Sequence, residues 1–293
     1  SFHALFVLNG VAFLISALLV VTVLLPTPAA PTRGQGIMHN ATYGIDIYLR
    51  TPRLRGLLAL SAAVAAAGAM VIVNTVVYTR SNLGGSESDV AVAFAAAGAG
   101  SMIAAVLLPR MLDRLPQRPA MLMGGALMFV GLALGLVGPD FLGLLALWFL
   151  IGVGGSLVQT PAGRLLRRSC HEEDRSAVFS AHFALSHACW LIAYPLSGWL
   201  GSVAGLAVTF TVMAAIVLAS TLAAAVLWPR GDPYDLEHAH EPMEHDHLHV
   251  HDAHHQHVHE GWEGPEPHSH PHPHARIRHR HAFVIDFHHR QWP

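Results

Sequence analysis

The sequence predicts an all-α membrane protein: seven transmembrane helices followed by a disordered, histidine-rich tail. Three observations predict it. The chain of 293 residues is 53% hydrophobic and only 12% charged, about half the charge of a soluble domain at roughly 25%, so most of it must be solvated by lipid. Seven windows reach the ~20 apolar residues that cross about 30 Å of hydrocarbon. Eighteen of the 23 histidines fall between His238 and His289, after the last of those windows.

The windows are Phe2–Leu25, Gly56–Tyr78, Val90–Pro109, Ala120–Gly138, Phe141–Gly163, Ala177–Trp199 and Gly205–Trp228. The first lacks a basic leading region and is longer than the ~7–15-residue core of a signal peptide, so it reads as a true span. Residues 1–25 therefore form one transmembrane helix, 26–55 a linker, 56–228 a six-helix bundle and 229–293 the tail.

Arginine sets the orientation, because the chain contains no lysine. Of the twelve arginines before the tail, eleven occupy alternate loops and only Arg80 lies in the opposite set. The positive-inside rule places those loops, the 26–55 linker and the tail in the cytoplasm. The first span then starts outside, so Ser1 reads as a cut in a longer chain. Cys170 falls in a cytoplasmic loop and Cys189 in a span, an arrangement that predicts two free thiols.

Polar groups within lipid are costly and usually face a cavity or a partner. The candidates for a transport cavity are Asn74, Gln159, His182, Ser186, His187 and Tyr194. His182 and Ser186 share one face of their helix, whereas His187, Trp190 and Tyr194 share another. The second face is the amphipathic one, which favours His187 as lining; a neutral histidine bonded to a neighbouring helix is the plainer alternative. No carboxylate lies inside a window, so proton coupling would need a histidine here or an acid elsewhere in the carrier. Small residues recur at Gly98 and Gly100, Gly131 and Gly135, and Gly152, Gly154 and Gly155, where they let membrane helices approach closely.

In the tail, HxH repeats carry the chemistry. His238 and His240, His245, His247, His249 and His251, His257 and His259, His268, His270, His272 and His274, and His279 and His281 alternate with other residues, and His254 and His255 are adjacent. In an extended strand alternate side chains point the same way, so neighbouring repeats can pinch one ion. Imidazole with occasional carboxylate suits Ni²⁺, Co²⁺, Zn²⁺ or Cu²⁺, and the lack of tail cysteine argues against a Cu(I) store. Proline and acid content predict a tail without a packed core. It carries 5 Arg against 11 acidic residues, so titration of its histidines near pH 6.5 would also suit a pH sensor. The closing segment HAFVIDFHHRQWP is too apolar for a plain linker, and either docks on the membrane domain or forms a short strand.

Two stretches carry a family resemblance. AVLLPRMLDRLPQRPAMLMG, residues 105–124, resembles the loop motif between helices 8 and 9 of the major facilitator superfamily: Asp113, Arg114 and Arg118 match, while Pro109 and Pro116 stand where glycines are usual. TPAGRLLRRSCHEEDRSAVFSAHFALSHACWLIAYPLSGWLG, residues 160–201, resembles the helix-10 to helix-11 region of bacterial facilitator exporters close to the nickel-resistance carriers of the NreB type, which also carry a histidine-rich carboxyl tail. The resemblance implies that these spans correspond to helices 6 to 12 of a twelve-helix carrier in the bacterial inner membrane, that helices 1 to 5 are missing from this chain, and that Asp113, Arg114, Arg118 and Arg164 belong to a cytoplasmic gate.

The expected function is that of a secondary transporter exporting nickel or cobalt by proton antiport, its tail capturing the metal. Its partners would be the lipid bilayer, the transported ion or small molecule, protons and helices 1 to 5; no nucleic acid and no required cofactor are implied. A facilitator exporter of organic compounds whose tail only buffers metal, and a non-transporting membrane metal sensor or store, are the alternatives. An enzyme is not expected, because no H-E-x-x-H motif stands in a span.

Overall fold

The computed structural model describes residues 2–23, 37–112, 116–232, 235–240, 243–249, 268–274, 277–285 and 292, with side chains described over 3–23, 42–110, 116–232, 283–285 and 292. The helices are α1 (Phe2–Thr22), α2 (Ile37–Arg50), α3 (Pro52–Val77), α4 (Glu87–Leu112), α5 (Gln117–Gly135), α6 (Phe141–Arg168), α7 (Arg175–Val203) and α8 (Leu206–Leu227). Among the described residues, seven of these eight helices, all but α2, are long and apolar enough to cross a membrane. The chain divides into two units, Ser1–Gln35 and Gly36–Pro293. The first contains α1, whose side chains are exposed from His3 onward.

Local chemistry sets the helix ends. Thr51 is extended ahead of Pro52, because a residue preceding proline is pushed out of the helical region and proline suits the first helical turn; α2 and α3 are thereby separate helices. Before α4, Ser86 and Asp89 form a reciprocal capping box, with the Ser86 amide donating to Asp89 Oδ2 at 2.7 Å and the Asp89 amide to Ser86 Oγ at 3.3 Å. Asp140 caps α6 by accepting from the Gly143 amide at 2.8 Å. Gly205, at φ +84, takes the sharp turn between α7 and α8 in a conformation that other residues avoid. At its far end α3 runs on into a π-helical turn, Tyr78–Asn82, where Tyr78 donates to the Pro139 carbonyl at 2.9 Å.

In the second unit α3 is the hub, packing against α8, α7, α6 and α5, while α6 holds α4 and α5. Small residues make these contacts close. Gly124 of α5 and Gly154 of α6 each face the other's carbonyl: an added Cβ would stand 2.5 Å and 2.6 Å from it. Gly100 and Gly152 join α4 to α6 in the same way, against Phe149 O and Ala97 O. Gly98, by contrast, faces open space, so the small-residue pattern there is not a helix contact. Trp148, fully buried, donates from its indole to Thr75 Oγ1 at 2.7 Å and so fastens α6 to α3.

Two expectations change. The 26–55 linker contains α2, which lies along α7 with Ile47 and Tyr48 buried and Gly44 pressed against the Ala177 carbonyl. Its apolar residues are spaced to bury one face, a pattern that a reading for long apolar windows passes over. The tail is not without regular structure: Asp235–His240 (β1) pairs antiparallel with Ile277–Ala282 (β4), and Met243–His249 (β2) with His268–His274 (β3). Alternation of histidine with other residues has the period of a strand, and both ends of the tail are fixed to the bundle.

Candidate functional site

The cavity candidates separate into buried clasps and an open face. Asn74 is buried, donating to Ser197 Oγ at 2.7 Å, and Gly201 leaves room for its amide oxygen. It locks α3 to α7 and presents nothing to a cavity. His182 is half-buried, with Nδ1 2.9 Å from the Tyr48 hydroxyl and the two rings stacked 5.8 Å apart. Burial pushes the Tyr48 hydroxyl far above the ordinary tyrosine range, so it stays protonated and able to donate. Ser186 donates to the Phe183 carbonyl of its own helix at 3.1 Å.

His187 is exposed, with its ring 3.9 Å from that of Phe183 and Nδ1 2.8 Å from the Phe183 carbonyl. Tyr194 is 36% exposed and stacks near Trp190, their centroids 5.0 Å apart. Trp190 leaves the predicted lining, because its ring fills the notch at Gly68 of α3, where a Cβ would stand 2.2 Å from it. Gln159 is exposed on α6. The open polar set is thus Gln159, His187 and Tyr194, on α6 and α7. The spans of α4 and α7 are the least buried of the second unit.

At the arginine-rich end the predicted gate residues part company. Arg118 donates from Nε to the Trp228 carbonyl at 2.9 Å and from Nη2 to the Ala225 carbonyl at 2.7 Å. It caps the last turn of α8, where a cation meets the unsatisfied carbonyls and the negative end of the helix dipole. Arg164 is exposed on α6. Asp113 and Arg114 lie outside the described residues. Among the described residues no three His, Cys, Asp or Glu side chains gather as a metal site. Of the tail histidines, His251, His254, His255, His257 and His259 lie outside the described residues, and the other metal candidates occupy the four strands.

The same end holds a cluster that the sequence reading did not single out. Asp232 lies 3.2 Å from Arg53 Nη1 and 3.3 Å from Arg168 Nη2, and accepts from the Trp228 indole at 3.0 Å. Arg53 is 2% exposed; it also donates to the Phe283 carbonyl at 2.9 Å and lies over the Trp292 ring at 4.8 Å. Phe283, Val284 and Ile285 are buried, and Trp292 meets Phe283 edge-on at 5.0 Å. The described part of the apolar closing segment, residues 283–285 and 292, therefore docks on the bundle. Its hydrophobicity was the only signal; Asp232 carries none.

Seven apolar spans, six of them packed as a helical bundle around α3 and α6, with exposed polar groups on α6 and α7, define a multi-pass membrane protein. The chain belongs to the Major Facilitator Superfamily, whose family model matches residues 57–262, and it is accordingly a secondary membrane transporter. No curated protein matches it.

Proposed function

We propose that the carrier exports a divalent transition metal, nickel or cobalt, in exchange for protons, and that its histidine tail captures the ion in the cytoplasm. The observation that carries this reading is the seating of the tail: it leaves the bundle at Asp232 and returns at Phe283, both held by Arg53. An imidazole-rich segment tied at both ends to one mouth of a carrier raises the local ion concentration there. The resemblance to NreB-type carriers supports nickel, and cobalt and zinc share its preference for imidazole.

In this reading His187, Gln159 and Tyr194 line the path, helices 1 to 5 of the same carrier complete the cavity, and His187 is the proton-coupling candidate. A second reading is favoured by the aromatic character of the same face, where Phe183, His187 and Tyr194 are exposed: an exporter of organic compounds whose tail buffers metal.

Mass spectrometry of nickel, cobalt and zinc in cells expressing the full-length carrier, the carrier cut after Trp228, or neither decides between them. Export predicts lowered nickel or cobalt that persists in part without the tail. Unchanged or raised metal that follows the tail alone would replace export by buffering.

A further inference from the structure

The tail strands are in one register. Asp235 stands opposite Ala282 and His240 opposite Ile277; three positions further on each side, Met243 stands opposite His274 and His249 opposite His268. The two ladders therefore follow one another without a slip, beginning next to the point where Arg53 holds Phe283.

Within β2 and β3 this register sets histidine against histidine: His245 opposite His272, His247 opposite His270, and His249 opposite His268. Positions two apart in a strand share a face, so the three opposed pairs occupy one face of the ribbon. Glu244 and Asp246 take the alternate positions, opposite Pro273 and Pro271. Proline has no N–H to give a ladder, so the bonds of β3 must come from the residues between the prolines, which are the histidines. The HPHPH spacing thus fits a two-stranded ribbon in the register observed, with histidines at the hydrogen-bonded positions and prolines donating nothing. Directly opposed positions carry Cβ atoms about 4.5–5.5 Å apart, within reach of two imidazoles that share one ion.

We propose that a divalent transition-metal ion binds between β2 and β3, held by opposed histidines, with His245, His272, His247 and His270 forming one four-imidazole site. The ligands come from both strands, whereas the HxH reading draws them from neighbours along one. Four neutral nitrogens without carboxylate suit zinc, nickel or copper and exclude magnesium and calcium, which take oxygen. The ion is also a staple: a two-stranded ribbon is marginal by itself, and a cross-link between its strands holds the register. This rests on the reading of the tail as a metal-capturing segment and specifies where in it the ion sits.

The test uses two full-length variants with equal numbers of tail histidines. One keeps only His245, His247, His270 and His272, two opposed pairs; the other keeps only His245, His247, His249 and His251, four on one strand. All other tail histidines become alanine. Nickel affinity is measured by competition with a chromogenic chelator, beside the unsubstituted chain. The proposal requires the opposed-pair variant to bind at least about tenfold tighter, which is about 1.4 kcal/mol. Equal affinity, or tighter binding by the single-strand variant, overturns it in favour of HxH chelation. If the unsubstituted chain retains no nickel, the capture reading fails as well. Independently, Leu248→Cys with Ser269→Cys, an opposed pair, must form a disulfide in the nickel-loaded chain, read by peptide mapping; its absence rejects the register.

Discussion

Arg53 donates to the main-chain oxygen of Phe283 at 2.9 Å, across 230 residues of sequence. The same guanidinium holds Asp232, so the first turn of α3, the exit from α8 and the end of the tail meet at one buried cation. Removing one partner of a buried pair leaves the other uncompensated, at a cost of about 3–5 kcal/mol. Asp232→Asn and Arg53→Ala are expected to lower the melting temperature of the detergent-solubilised protein and to expose the Phe283 segment to carboxypeptidase. A melting curve and digestion pattern matching the unsubstituted chain would remove the cluster from the account of stability.

Helix proximity gives a sharper contrast. Gly124→Ala would drive a methyl group to 2.5 Å from the Gly154 carbonyl, and backbone cannot yield as a side chain can; overpacking of this kind costs about 1–3 kcal/mol. Gly98→Ala meets nothing within 4 Å and should leave thermal stability unchanged or slightly raised, alanine being the better helix former. Equal melting temperatures for the two variants would contradict the close α5–α6 contact.

The two span histidines should separate by assay. Tyr48→Phe removes the hydroxyl that meets His182 and is expected to lower stability by about 0.5–1.5 kcal/mol, with transport retained once the protein is folded. His187→Ala, on the open face, should leave the melting temperature unchanged and reduce transport several-fold in the full carrier. The opposite assignment, stability lost at His187 and transport at Tyr48, would exchange their roles.

Cys170 offers a pH-dependent readout. It is buried, donates to the Leu166 carbonyl at 3.4 Å, and its thiol is pushed up to about 11 by burial and then by Asp174. The folded state keeps the proton that the unfolded state gives up at an ordinary thiol pKa of about 8.5. Its contribution to stability is therefore full below that value and declines as pH rises towards 11. Cys170→Ala should flatten the loss of melting temperature above pH 9, and maleimide at pH 8 should label Cys170 only after unfolding. Rapid labelling of the folded chain would show the thiol to be accessible.

The spans were legible because crossing lipid demands length and apolarity, which a window detects directly: Phe141–Gly163 and Gly205–Trp228 fall within a few residues of α6 and α8. Their direction of packing was less so. Asn74 and Gln159 look alike in sequence as lone polar groups in lipid, yet one is spent on Ser197 and the other is open, because the outcome depends on which helix lies opposite. Trp190 shares a helical face with His187 by spacing, but the absence of a side chain at Gly68, on a different helix, draws its ring away. Asp232 was invisible for a related reason. An acid after a span is ordinary until two arginines, more than 60 and 170 residues earlier in the chain, converge on it.

Because the histidine segment departs from and returns to a single guanidinium, it behaves as an interchangeable cassette. Loop-closure entropy rises by only about 0.6 kcal/mol for each doubling of length, so repeats can be gained or lost between residues 233 and 282 without shifting either anchor. The number of histidines can therefore drift without disturbing the helices that anchor the segment.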